Sequence, residues 1–134
     1  MTKNLRLLEF KINKFDFQFV DGIKGGTVFN IKPEIECKIG KNGKTLNAFL
    51  SARVNENNSS PVPFNMYVIL VARFGILKEA QDSEFVKEAF EELYPFLRSS
   101  IAGAMANFNV QPYFLPIISP YNLSADAKVD GDLN

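Results

Sequence analysis

Apolar and polar residues alternate through most of the first half of the chain. Leu8, Phe10 and Ile12 recur at every second position, and after a change of phase so do Phe15, Phe17 and Phe19 in KFDFQF. A period of two puts one set of side chains on one face of a β-strand, so this stretch predicts one long strand or a bent pair. Turn chemistry follows in DGIKGG, and FNIKPEIECKIG then places Phe29, Ile31, Pro33, Ile35, Cys37 and Ile39 on one face. Pro33 has no amide hydrogen to give an inner ladder, which marks an edge, a bulge or a strand start. GKNGK reads as a hairpin turn with Asn42 and Gly43 at its tip. The return strand, TLNAFLSARV, sets Leu46, Ala48, Leu50, Ala52 and Val54 on one face. After the loop NENNSSP, the segment VPFNMYVILVARFGI is apolar on both faces from Tyr67 to Ala72, the pattern of a strand covered on both sides.

The period then lengthens. In DSEFVKEAFEEL, Phe85, Ala89, Phe90 and Leu93 share one helical face, Asp82 or Ser83 can cap the start, and acidic residues fill the polar side. Pro95 suits the first turn of a second helix, PFLRSSIAGAMANF, because a proline there loses no intrahelical bond. This helix carries two stripes. Leu97, Ile101, Met105 and Phe108 are expected to pack on the sheet. Ser99, Ala102, Gly103 and Ala106 are small enough to let another helix approach closely, as a subunit contact, or else to fit beneath the chain's own loop. Beyond them, VQPYFLPIISPY is oily yet without a period, and its prolines at 112, 116 and 120 exclude a helix interior or an inner strand. The last residues have little apolar content and are expected to form a disordered tail over 121–134, following a single domain over 1–120.

Composition narrows the chemistry more than the fold. With 134 residues, 46% of them hydrophobic, the chain is long enough for one real core. Fifteen basic side chains balance fifteen acidic ones, so no global field recruits nucleic acid or an anionic membrane. The balance is uneven: residues 1–60 hold 10 Lys/Arg against 6 Asp/Glu, and residues 61–134 hold 5 against 9. There is no histidine, which removes histidine-based triads and histidine metal ligation. Cys37 stands alone, so no internal disulfide and no thiolate zinc site is expected, and it reads as a small packed hydrophobe. A single cysteine and the absence of a signal-like apolar run in MTKNLRLLEFK point to the cytoplasm, without membrane insertion. GKNGKT resembles the end of a phosphate-binding loop, but the glycine required at position 38 is a lysine and the segment enters a strand. The acidic cluster from Glu79 to Glu92 could supply a carboxylate pair, although a solvated helix face accounts for it. No enzyme activity and no cofactor is expected.

Three local stretches carry a resemblance to the SecB export chaperones. IKPEIECKI is similar to the family's second strand, LYPFLRSSI to its aromatic-proline-aromatic helix entry with Arg98 at the family's arginine, and FLPI to the loop that follows. The resemblance runs from about residue 5 to 119. It implies an α+β fold, a four-stranded antiparallel sheet with helices packed on one side, and a homotetramer built as a dimer of dimers. It also implies ATP-independent holding of unfolded polypeptides. Carried over by position, the client-binding residues are Ile31, Ile35, Cys37 and Ile39 on the strand, with Tyr113, Phe114, Leu115 and Ile117 on the loop. Ser99, Ala102, Gly103 and Ala106 are the expected oligomer interface. The family continues after the loop into a second amphipathic helix, a pattern absent from IISPYNLSADAKVDGDLN. Its acidic sheet surface docks the translocation motor SecA, whereas the sheet half here is slightly basic. Export is thus one expected role, and service to a single partner such as an antitoxin is another.

The residues by themselves leave other readings open. Tyr113 to Ile118 could complete the core, or the aromatics could line a small-ligand pocket in a curved sheet. On the chaperone reading, the prolines hold an oily strap open over the sheet, so that foreign chain can enter between the two.

Overall fold

The computed structural model describes residues 3–20, 31–55, 64–107 and 115–116. Four strands, β1 (Leu5–Phe19), β2 (Glu34–Asn42), β3 (Thr45–Val54) and β4 (Phe64–Ile76), form one antiparallel sheet in the order β1-β4-β3-β2. One helix, α1 (Asp82–Asn107), packs across it. The α+β architecture with its helix on one side is the one expected. β1 and β2 are the two edges.

Register follows from the alternation. Ile35, Cys37 and Ile39 pair with Ala52, Leu50 and Ala48, which pair in turn with Val68, Leu70 and Ala72. Paired residues of an antiparallel ladder share a face, so one continuous apolar surface meets α1. Leu46, Leu50, Leu70, Phe85, Phe90, Leu93, Leu97 and Ile101 are fully enclosed there, each worth roughly 1.5–3 kcal/mol against exposure. The β2–β3 turn is shifted by one residue from the expected tip: Asn42 pairs with Thr45 and leaves Gly43 and Lys44 as the loop. Gly43 adopts φ 65°, which a residue without Cβ takes at little cost.

β1 is a single strand with two register shifts, one between Leu7 and Glu9 and one between Ile12 and Lys14. Each shift inserts a residue, the geometry of a β-bulge. The second accounts for the phase change from Ile12 to Phe15. The first corrects the sequence reading at Leu8: Leu7, paired with Phe74, takes the helix side, and Leu8 lies against Gly75 on the opposite face.

Two further expectations are corrected. α1 is one helix of 26 residues that runs through Pro95 and does not restart there. Its buried positions Phe85, Ala89, Leu93, Leu97, Ile101 and Met105 recur every four residues without a slip. The carbonyl of Glu91, which Pro95 cannot serve, lies on the exposed side, where water can take it. The cap is also displaced by one residue, since the Gln81 carbonyl accepts from the amides of Glu84 and Phe85. The outward residues of β4, Tyr67, Ile69 and Val71, are half-buried, and among the described residues no element packs over them. Cross-strand neighbours shield them, Phe49 beside Val71 and Lys14 beside Ile69.

Candidate functional site

On α1, Tyr94 and Arg98 stand one turn apart, on the same side of the helix. Tyr94 is buried and stacked on Phe90, with ring centroids 4.7 Å apart. Its hydroxyl donates to the Pro116 carbonyl at 2.6 Å, and Arg98 Nε donates to the Leu115 carbonyl at 2.8 Å. Two consecutive carbonyls of the proline-punctuated strap are thus gripped by two side chains of one helix. Leu115 between them is 1% exposed and joins the core, while Pro116 faces solvent. Within this chain, then, Leu115 is an enclosed position and not the open wall of a groove. Tyr113, Phe114 and Ile117 lie outside the described residues, as do Phe29, Phe108 and the expected tail.

The strand half of the expected site is also closed. Ile35, Cys37 and Ile39 are exposed by 2%, 0% and 1%, because their face of β2 is the one that α1 covers. Ile31, just before β2, is half-buried. Burial pushes the Cys37 thiol up to about 12, so it stays protonated and unreactive at neutral pH. No client side chain touches these three unless something of this chain moves first.

Accessible apolar surface lies elsewhere, on β1 and the neighbouring turn of α1. Phe10 and Phe96, 40% and 39% exposed, stack with centroids 4.4 Å apart. Phe17 meets Phe19 edge-on at 5.1 Å and Phe64 at 5.0 Å, and Phe19 is 57% exposed. Leu7, Ile12 and Phe15 are partly buried against the core. Sequence reasoning placed the β1 residues on one strand face and did not single them out as a site. The signal that could have found them is the strand's length, 15 residues against nine in β2, which carries it past the helix's cover.

The small-residue stripe of α1 divides. Ser99, Gly103 and Ala106 are exposed and Ala102 is buried. A Cβ placed on Gly103 would meet nothing within 4 Å, so within this chain nothing demands a glycine there.

The face of the sheet away from α1 is more polar. It presents Arg6, Lys11, Lys14, Lys38, Arg53 and Arg73 against Glu9, Asp16, Glu34 and Glu36. Three of these cations pair with carboxylates: Arg73 with Glu9, Lys14 with Asp16 and Lys38 with Glu36. The Arg53 guanidinium lies 4.1 Å from the Tyr67 ring centre. Around Phe49 and Val71 a shallow cleft of about 460 Å³ opens, bordered by Glu9, Lys11, Asn47 and Arg73. Among the described residues no cluster of acidic or thiol groups could hold a metal ion, and no helix is long and apolar enough to cross a membrane.

No family model and no curated protein matches the sequence. Solved structures do. The SecB-like chaperone Rv1957 of Mycobacterium tuberculosis, solved in complex with a ChAD peptide from the Rv1956 HigA1 antitoxin, superposes with a TM-score of 0.68 at 12% identity, over 86% of this chain and 91% of that one. A protein of unknown function from Streptococcus agalactiae covers 84% of this chain and 97% of its own at 9% identity, with a TM-score of 0.46. The first likeness, at an identity too low to carry residues across, shows that this sheet and helix are arranged as in a SecB-like chaperone.

Proposed function

We propose that this protein is a non-catalytic, ATP-independent holdase of the cytoplasm that binds extended, non-native polypeptide. One observation carries the reading: a SecB-like fold that leaves Phe10 and Phe19 exposed along a 15-residue edge strand, with Phe96 of α1 exposed against Phe10 and Phe17 half-buried beside Phe19. A contiguous apolar surface of this kind marks an interaction site. An unpaired edge adds backbone donors and acceptors that suit an extended chain. The clefts of the sheet are shallow and partly charged, which disfavours the small-ligand reading.

Single contacts are weak. Each inserted client side chain gains about 1.5–3 kcal/mol and each ordered client residue costs about 1–2 kcal/mol, so affinity must come from several sites on one particle. Assembly into a homotetramer, as a dimer of dimers, supplies them. The exposed Ser99, Gly103 and Ala106, with Ala102 beneath, form one contact where helices meet, and the apolar border of β1 supplies another. Ile35, Cys37 and Ile39 serve clients only after the helix that covers them moves, and Ile31 beside them is half-buried.

Between general export and a dedicated partner, the charge of the sheet's outer face favours the second. A SecA-type motor docks on acid, and six cations against four carboxylates do not provide it. We therefore favour holding for one partner class, such as an antitoxin, over delivery to a translocase. The test is native particle size together with suppression of aggregation of a chemically unfolded, unrelated protein without nucleotide. A tetramer that holds it is expected, and Gly103→Leu should dissociate the particle and weaken holding together. A monomer indifferent to unfolded protein would overturn the reading. A particle that ignores generic chains yet binds an antitoxin segment would establish the dedicated form.

A further inference from the structure

The strap's contact with α1 has a chemistry of its own. Leu115 precedes a proline, which confines it to extended backbone. Its side chain is enclosed, its carbonyl accepts from Arg98 Nε, and the next carbonyl accepts from the Tyr94 hydroxyl. Pro116 brings no N–H, so the proline at this step asks for no acceptor, and both helix groups act as donors. An aliphatic side chain in the core, two gripped carbonyls and an extended backbone are what a bound peptide would show. Here the peptide is part of the same chain.

We propose that Leu115–Pro116 is the resident occupant of a binding site, and that the position it fills on α1 takes an aliphatic-proline step from another extended polypeptide in exchange. This inference rests on the holdase reading and assigns it a recognition element. Tyr94 and Arg98 become the groups that read backbone, and Leu115 becomes the chain's own competitor. Unlike a permanently open groove, such a site stays capped by its own leucine until a segment with the same chemistry displaces it.

The probe is a labelled twelve-residue peptide of this chain's own sequence, VQPYFLPIISPY, titrated against the full-length protein. Leu115→Ala weakens the resident and leaves both donors in place, so it should bind the peptide about tenfold more tightly than the unsubstituted protein. Leu115→Val, which keeps most of the core volume, should shift affinity the same way by a smaller factor, and covers the case in which the alanine variant does not fold. Adding Tyr94→Phe to either variant should reverse the gain, since the incoming carbonyl loses its donor. A peptide carrying alanine in place of its leucine should bind no better to the variants than to the parent. Equal affinity of parent and folded Leu115 variants for VQPYFLPIISPY would overturn the proposal. Aggregation suppression by the parent separates the two ideas: if the parent holds an unfolded client and the Leu115 variants gain nothing, the exchange alone is wrong. If no form of the protein holds a client, the holdase reading fails by itself.

Discussion

The two edge strands are written in the same alphabet and end in opposite environments. β2 places Ile35, Cys37 and Ile39 at alternate positions and buries all three beneath α1. β1 places Leu7, Phe10, Ile12, Phe15, Phe17 and Phe19 on the same side of the sheet and leaves Phe10 and Phe19 largely in solvent. The difference lies in how far the cover reaches along each strand. α1 crosses all three of β2, β3 and β1, but β1 is long enough to outrun it: Leu5 is enclosed, Leu7, Ile12, Phe15 and Phe17 are partly buried against the core, and Phe10 and Phe19 stay exposed beside Phe96, Phe17 and Phe64. One edge is thus built to be finished within the chain, and the other to be finished by something else.

Substitution should expose this contrast directly. Ile39→Ala opens a cavity in a closed region and is expected to cost about 2–5 kcal/mol in chemical denaturation. Phe10→Ala, although it removes a larger side chain, should cost the isolated subunit clearly less. Equal losses would mean that the β1 surface is as structural as β2.

The second way to sharpen it is pH. An unfolded Cys37 thiol ionises from about 9.0, but the native one is pushed up to about 12 by burial. The unfolded state therefore releases a proton that the native state keeps. Stability from this group is complete below pH 9.0 and falls above it by about 1.4 kcal/mol per pH unit up to about 12. Cys37→Ala should flatten that alkaline slope, measured as a difference between the two proteins across the same titration. An unchanged slope would show that β2 is already open to water.

The smallest effect belongs to the exposed end of β1. Phe19→Thr is expected to leave the subunit's stability within about 0.5 kcal/mol while lowering the binding of an apolar fluorescent dye. A large destabilisation would move Phe19 from the interaction surface into the core.

Much of this organisation was legible in the residues. Period two located β1, β2 and β3, a run apolar on both faces located β4, and the four-residue spacing located the helix. What periodicity cannot say is which neighbour covers a face. Cys37 and Phe17 sit in equally clean alternations, yet only the path of α1 buries one and leaves the other at the border. The same limit explains Pro95, whose tolerance inside a helix depends on the Glu91 carbonyl facing water, and the Leu115–Pro116 step, whose carbonyls accept from donors 17 and 22 residues away in sequence. Leu8 was misassigned because one inserted residue reverses every side chain after it.

The strand order has a consequence during biosynthesis. Among the described residues β1 pairs with β4 alone, so the first of the four strands to be made has no ladder partner before residue 64 and no complete one until residue 76. At about 5–20 residues per second, the 57 residues from 20 to 76 take about 3–11 s. For that interval a ribbon of phenylalanines waits without a complete mate, and the nascent chain is itself the sort of polypeptide that a holdase protects.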